Sequence, residues 1–201
     1  MNLRNFTNIA FGITFLNLAL VGLCALTLDA TFPTLVRLGA LICNITMGGL
    51  LLSSHPASSA SSPLDKPYWL GAIICNAAIV KNINDAQPFH CISSFLFIIG
   101  LSFTLFSLYS LGRSFAVTPM HSKIKTHKAY TLVRHPIYLG ESIMILSCVL
   151  ATSAISSYIT FVLYLLITAL RIREEEALLL NEPQYQNFCK KTRWKILPFV
   201  W

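Results

Sequence analysis

The feature that most constrains this chain is the arrangement of its apolar residues into long unbroken blocks separated by short polar turns. A block of about 20 apolar residues matches the thickness of a bilayer core. Buried in lipid, such a block must satisfy its backbone internally, which leaves helices as the economical solution. Reading along the chain, the expected spans are Phe6 to Leu28, Thr34 to Leu52, the shorter "YWLGAIICNAAIV", Phe89 to Leu111, Ile137 to Ala151 and Ile155 to Leu170. The breaks between them are "DATFP", "SSHPASSASSPLDKP", "KNINDAQP", a polar stretch from Gly112 to His135, and "TSAIS". The pattern predicts an all-α, polytopic membrane bundle of about six transmembrane segments. The short "TSAIS" break makes the last two segments a helical hairpin. The third block has about thirteen residues, so it must borrow flanking residues or be partly shielded.

Composition agrees. Of the 201 residues, 55% are hydrophobic and only 11% charged, against about 25% charged in soluble domains. The net charge of +7 then reads as the basic excess of cytoplasmic loops. With the N-terminus inside and every block crossing, thirteen Lys and Arg residues fall inside and only Arg37 and Lys81 outside. This count expects an integral, multi-pass membrane protein with the 112–135 loop and the tail from Arg171 together on the cytoplasmic side. A nucleic-acid partner is disfavoured, because no soluble basic domain exists to carry it. The apolar run near the N-terminus is long for a signal peptide and is read as a retained span. The six cysteines form no CxxC pair and read as small buried hydrophobes. His121 and His127 lack companion ligands, so no metal site is expected. Asn17, Asn44 and Asn76 within the spans read as interhelical hydrogen-bonding residues, worth about 0.6 kcal/mol each.

Two charged clusters border the apolar blocks. The first, "YTLVRHPIYLGE" (130–141), sets Arg134 and His135 before Pro136. Proline suits the first turn of a helix, where its missing N–H has no partner to lose. The free amides of that turn favour an anion, and the Arg134 fork suits a carboxylate or phosphate. His135 adds a titratable ring and Tyr138 a phenol. The plainer alternative is that Arg134 and His135 anchor the helix to lipid headgroups. The second cluster, "RIREEEALLL" (171–180), continues the sixth block beyond the bilayer and places Arg171 on one face with Glu174 and Glu175. Its plainer alternative is a solvated helix face. Taken together, the clusters match a ligand with a carboxylate, a ribose, an aromatic base and a positive centre. S-adenosylmethionine has all four, whereas NADPH needs more phosphate-binding cations.

"LGRSF" (111–115), "YTLVRHPIYLGE" and "EEEALLLNEPQYQNF" (174–188), with Pro198 near the end, resemble the isoprenylcysteine carboxyl methyltransferase family, bacterial-type members included, within a wider group that contains phospholipid methyltransferases. The resemblance covers about residues 109 to 198. It implies an N-terminal part, 1–88, holding spans one to three, and a methyltransferase core, 89–201. It also implies S-adenosylmethionine bound between the loop before the fifth span and a cytoplasmic C-terminal helix, with a lipophilic methyl acceptor arriving from the bilayer. The acceptor is left open among a prenylcysteine-like carboxylate, a lipid amine and a small thiol or hydroxyl. Carried over by position, the cofactor-binding residues are Tyr130, Arg134, His135, Pro136, Tyr138, Glu174, Glu175, Tyr185 and Arg193, with Phe188 as second aromatic and Lys195 as rival to Arg193. Glu141 and His135 are the candidate catalytic groups, as bases for an acceptor that must lose a proton. Lys128 and Ala129 stand where the family often has Gly-Pro. Two other functions remain open on these residues, an NADPH-dependent membrane reductase and a non-enzymatic lipid-binding scaffold. Cofactor competition separates them.

Overall fold

The computed structural model describes residues 3–24, 31–54, 68–83, 90–114, 126–152, 154–198 and 200. Every apolar block is helical: α1 Leu3–Cys24, α2 Phe32–Ser53, α3 Tyr68–Ile83, α4 Cys91–Leu111, α5 Pro136–Ala151 and α6 Ile155–Leu179. A short amphipathic helix, α7 Pro183–Lys191, follows. No strand occurs among the described residues. Three helices, α2, α4 and α6, are long and apolar enough to cross a membrane. The apolar parts of α1 (Asn8–Cys24) and α3 (Leu70–Ile83), and the whole of α5, are shorter. The bundle therefore contains three clear candidate spans where about six were expected. Residues 25–28, the expected end of the first span, and Phe89, the expected start of the fourth, lie outside the described residues, as do His121, Lys123 and Lys125 of the basic loop.

Local signals set the helix ends. Thr31 caps α2, accepting from the Thr34 amide, with Pro33 in the first turn. Pro136 and Pro183 open α5 and α7. Gly112 ends α4 with φ 54, in the left-handed region that a side chain resists. The helices pair as α1 with α2, α4 with α5 and α3 with α6, while α2 bridges to α4. Their common core joins Phe32 and Val36 of α2, Cys75 and Ile79 of α3, Phe97 of α4, Ile145 and Val149 of α5, and Tyr164 of α6. Outside it, a band of exposed leucines, isoleucines and phenylalanines runs along the helices, the surface expected where the solvent is lipid. These features make the chain a membrane protein.

The α4–α5 contact decides where the charged motif sits. Gly100 and Gly140 face each other across it. A Cβ on Gly100 would come within 2.8 Å of the Met144 amide and 2.9 Å of the Gly140 carbonyl. One on Gly140 would press into Thr104, 2.8 Å from its amide. Small residues of this kind let transmembrane backbones approach closely. Because Gly140 lies four residues after Pro136, this contact fixes the depth and rotation at which α5 presents its N-terminus. Gly140→Ala is expected to destabilise the bundle by about 1–3 kcal/mol, the range for overpacking. Gly49→Ala, whose Cβ would meet nothing within 4 Å, is expected to be neutral or slightly stabilising. Thermal unfolding of both variants in detergent checks this; equal loss in the two would refute the close-approach argument.

Candidate functional site

The two charged stretches meet. Their centre is Glu176, 5% exposed, near the end of α6. Arg134 Nη1 donates to Glu176 Oε1 at 2.7 Å, and Lys195 Nζ lies 2.8 Å from Oε2. His135 Nε2 is 3.3 Å from Oε1, and the Tyr185 hydroxyl donates to the same oxygen at 3.4 Å. One carboxylate thus ties together the loop before α5, the end of α6, α7 and the C-terminal tail. Glu175 forms a second layer. It accepts from the Tyr138 hydroxyl at 2.9 Å and stands 4.0 Å from His135 Nδ1. The His135 and Tyr138 rings stack, with centroids 5.7 Å apart, and the Arg171 guanidinium lies 5.1 Å from the Tyr138 ring.

Backbone contacts hold this geometry. The Arg134 amide donates to the Trp194 carbonyl at 2.9 Å, and the His135 amide to the Lys195 carbonyl at 2.8 Å. Arg134 Nη2 donates to the Arg193 carbonyl at 2.8 Å. The Thr192 hydroxyl donates to the Tyr130 carbonyl at 3.2 Å. Residues 192–195 therefore run beside 130–135 as a strap. Below the strap is a small core of Ala129, Tyr130, Tyr185 and Phe188, with Leu111, Leu179 and Cys189 against it. Burial pushes the Tyr130 and Tyr185 phenols well above their usual range, with Glu175 and Glu176 respectively adding to the shift. Both are neutral hydroxyls. Burial likewise raises the Cys189 thiol, whose sulfur receives a contact from Arg134 Nη1 at 3.3 Å.

The turn that enters the site carries an unusual residue. Lys128 has φ 59, the left-handed region that glycine adopts without strain. Its Nζ sits 4.0 Å from the centre of the Tyr109 ring, a cation–π contact worth about 0.5–1 kcal/mol at an exposed site. This contact offsets part of the backbone strain.

Among the residues expected from the sequence, Tyr130, Arg134, His135, Pro136, Tyr138, Glu175 and Tyr185 converge here. Glu174 is half-buried two positions from the central carboxylate, which on a helix points about 200° away from it. Arg193 contributes its carbonyl while its side chain is exposed; Lys195 supplies the cation. Glu141 stands deeper along α5, in electrostatic contact with Arg171 and beside Tyr164. Glu176 was the residue the motif reading passed over. A signal for it exists: from Tyr164 onward the buried positions of α6 run Tyr164, Thr168, Ile172, Glu176, every fourth residue.

The site also contains a donor awaiting an acceptor. Arg134 Nε is buried without a hydrogen-bond partner among the described residues, although both Nη atoms are engaged. A buried unsatisfied N–H is uncommon and suits an anionic group of a ligand. A carboxylate at Arg134 and a hydroxyl-bearing or cationic part at Glu175 are the chemistry these residues accept.

Removing the central carboxylate should expose its structural weight. Glu176→Ala strands Arg134 and Lys195 and is expected to lose about 3–5 kcal/mol of stability. Glu174→Ala, nearer the surface, is expected to lose under about 1 kcal/mol. Chemical denaturation in detergent measures both, and a larger loss for Glu174→Ala would contradict the arrangement.

In comparison with known proteins, residues 89–185 match the phospholipid methyltransferase family. No curated protein matches the chain.

Proposed function

From the premise that this chain belongs, through residues 89–185, to the phospholipid methyltransferase family of membrane methyltransferases, we propose that it transfers a methyl group from S-adenosylmethionine to a lipophilic acceptor drawn from the bilayer. The observation that carries this reading is the Arg134–Glu176–Glu175 cluster, which joins two stretches some forty positions apart at the mouth of the apolar bundle. We assign the methyltransferase core to residues 89–201, with 1–88 as supporting spans. The basic excess of the 112–135 loop and the tail favours the cytoplasmic side for the site.

When bound, the donor supplies an electrophilic methyl on a sulfonium, whose departure leaves a neutral thioether. The chain's residues then have little acid catalysis to perform. Arg134, through its free Nε–H, holds the donor's carboxylate. Glu175 offers an acceptor to its ammonium or ribose hydroxyls, and the Tyr185 and Phe188 rings wall the site on the α7 side. His135 is buried between two carboxylates and stacked on Tyr138; that environment fits a positioning residue better than a free base. Orientation and exclusion of water supply the rate enhancement. The acceptor reaches the site from the lipid side, where Glu141 stands.

Calorimetry on the detergent-purified protein tests the reading. S-adenosylmethionine is expected to bind, and NADPH to leave that binding unaffected. Glu175→Ala and Arg134→Ala are each expected to weaken donor binding by about 1.5–3 kcal/mol, the scale of charged hydrogen bonds. Wild-type affinity in both variants would remove the donor from this site.

A further inference from the structure

The outer side of the strap carries a charge pattern that the donor site does not use. The side chains of Lys128, Lys190, Lys191 and Arg193 are exposed. Thr192, hydrogen-bonded to the Tyr130 carbonyl, brings the 128–132 turn and the 190–193 segment side by side. No aspartate or glutamate occurs in residues 86–140 or 183–201, and the buried Glu176 carboxylate is already paired with Arg134 and Lys195. The four outward cations therefore leave an excess of positive charge at this end of the bundle. Exposed apolar side chains stand among them, Leu132 in the turn and Leu197 and Val200 in the tail.

The place of this surface selects its partner. Tyr109 lies in the last turn of α4, one of the candidate spans, and is 71% exposed. An outward tyrosine at the end of a span sits at headgroup depth. Lys128 Nζ rests 4.0 Å from the centre of that ring, so the turn that Lys128 begins lies at the same depth. Cations interleaved with leucine and valine suit a headgroup layer, where apolar side chains enter the acyl boundary and cations meet phosphate. The bilayer at the end of α4 already adjoins these side chains, so no soluble partner is needed to cover them. Each Lys or Arg close to an anionic leaflet strengthens the attraction about fivefold.

We propose that this surface binds anionic phospholipid headgroups of the adjoining leaflet, and that the bound lipids hold the strap closed over the functional site. The residues involved face both ways. Arg193 turns its side chain out, while its carbonyl accepts from Arg134 Nη2. Lys190 and Lys191 end α7, whose Tyr185 and Phe188 pack beneath the strap. Lys128 begins the turn that contains Tyr130, and Tyr130 is tied to Thr192. Phosphates that restrain these side chains restrain the backbone that keeps Arg134 in place. Lipid binding and strap closure are then linked, and each strengthens the other by the same factor. The lipid contact stands on the surface alone; its effect on donor affinity rests on the methyltransferase reading above.

The test uses the full chain in nanodiscs of phosphatidylcholine, with or without phosphatidylglycerol, and begins without methyl donor. Native mass spectrometry of protein released from the mixed nanodiscs is expected to find phosphatidylglycerol retained over phosphatidylcholine. Lys190→Gln combined with Lys191→Gln is expected to cut that preference about tenfold or more. Lys190→Arg combined with Lys191→Arg, which keeps both charges, is expected to leave it intact, as is Lys81→Gln in the last turn of α3, at the opposite end of the bundle. Hydrogen exchange at the Arg134 and His135 amides, which donate to the strap, is expected to slow about fivefold or more when phosphatidylglycerol is present, and not to slow in the glutamine pair. S-adenosylmethionine affinity is expected to rise by a similar factor. No lipid preference in the wild type, an equal loss in Lys81→Gln or in the arginine pair, or displacement of the lipid by poly-glutamate overturns the lipid surface. Unchanged exchange at the two amides overturns its link to the strap. Slowed exchange without S-adenosylmethionine binding in either nanodisc upholds that link and overturns the methyltransferase reading alone.

Discussion

The grip of Arg134, Lys195 and His135 on the Glu176 carboxylate is the interaction on which the functional end of this molecule depends. Glu176 sits on the buried face of α6, so its charge is sustained only while its partners stay in place. Those partners come from two segments that share no helix with it. The loop before α5 is held again through its amides, which donate to the Trp194 and Lys195 carbonyls. The tail is held again through Thr192 on the Tyr130 carbonyl. A charge centre and a backbone strap thus support each other at the membrane surface, where neither would be firm alone.

Below that surface the organising force changes. In lipid there is little hydrophobic gain from bringing apolar helices together, and packing geometry takes over. The Gly100–Gly140 contact brings α4 and α5 to backbone distance. It places Pro136 and the Arg134–His135 pair at a set height above the core. On the other side, α6 leans on α3 through Gly71 and Ile167. Tyr138, Glu141 and Tyr164 occupy the space that α5 and α6 share. The small residues and the charged motif therefore belong to one design, with glycines setting the spacing at which the polar side chains can work.

Much of this could be read beforehand. The apolar blocks announced helices, and each one is a helix. Pro136 opens a helix, as its missing N–H predicts, and Pro183 opens another. Arg134, His135, Tyr138 and Glu175 were legible because charge and aromatic residues at the edge of an apolar block need a physical reason to be there. Glu176 was less legible. Three consecutive glutamates look alike in sequence, and only the fourfold spacing of buried positions on α6 separates the third from the first. Likewise the sequence pointed to Arg193 ahead of Lys195, whereas backbone direction at the strap turns the Lys195 side chain inward.

What the sequence by itself determined is the class of the molecule and the kind of chemistry at its surface. Hydropathy acts locally, residue by residue, so an all-helical membrane bundle with two charged rims follows from the order of side chains alone. The tertiary structure decided which charges pair, because pairing depends on the rotation of each helix and the depth at which it is held. Those quantities come from contacts between residues far apart in the chain, such as Gly100 with Gly140 and Arg134 with Glu176.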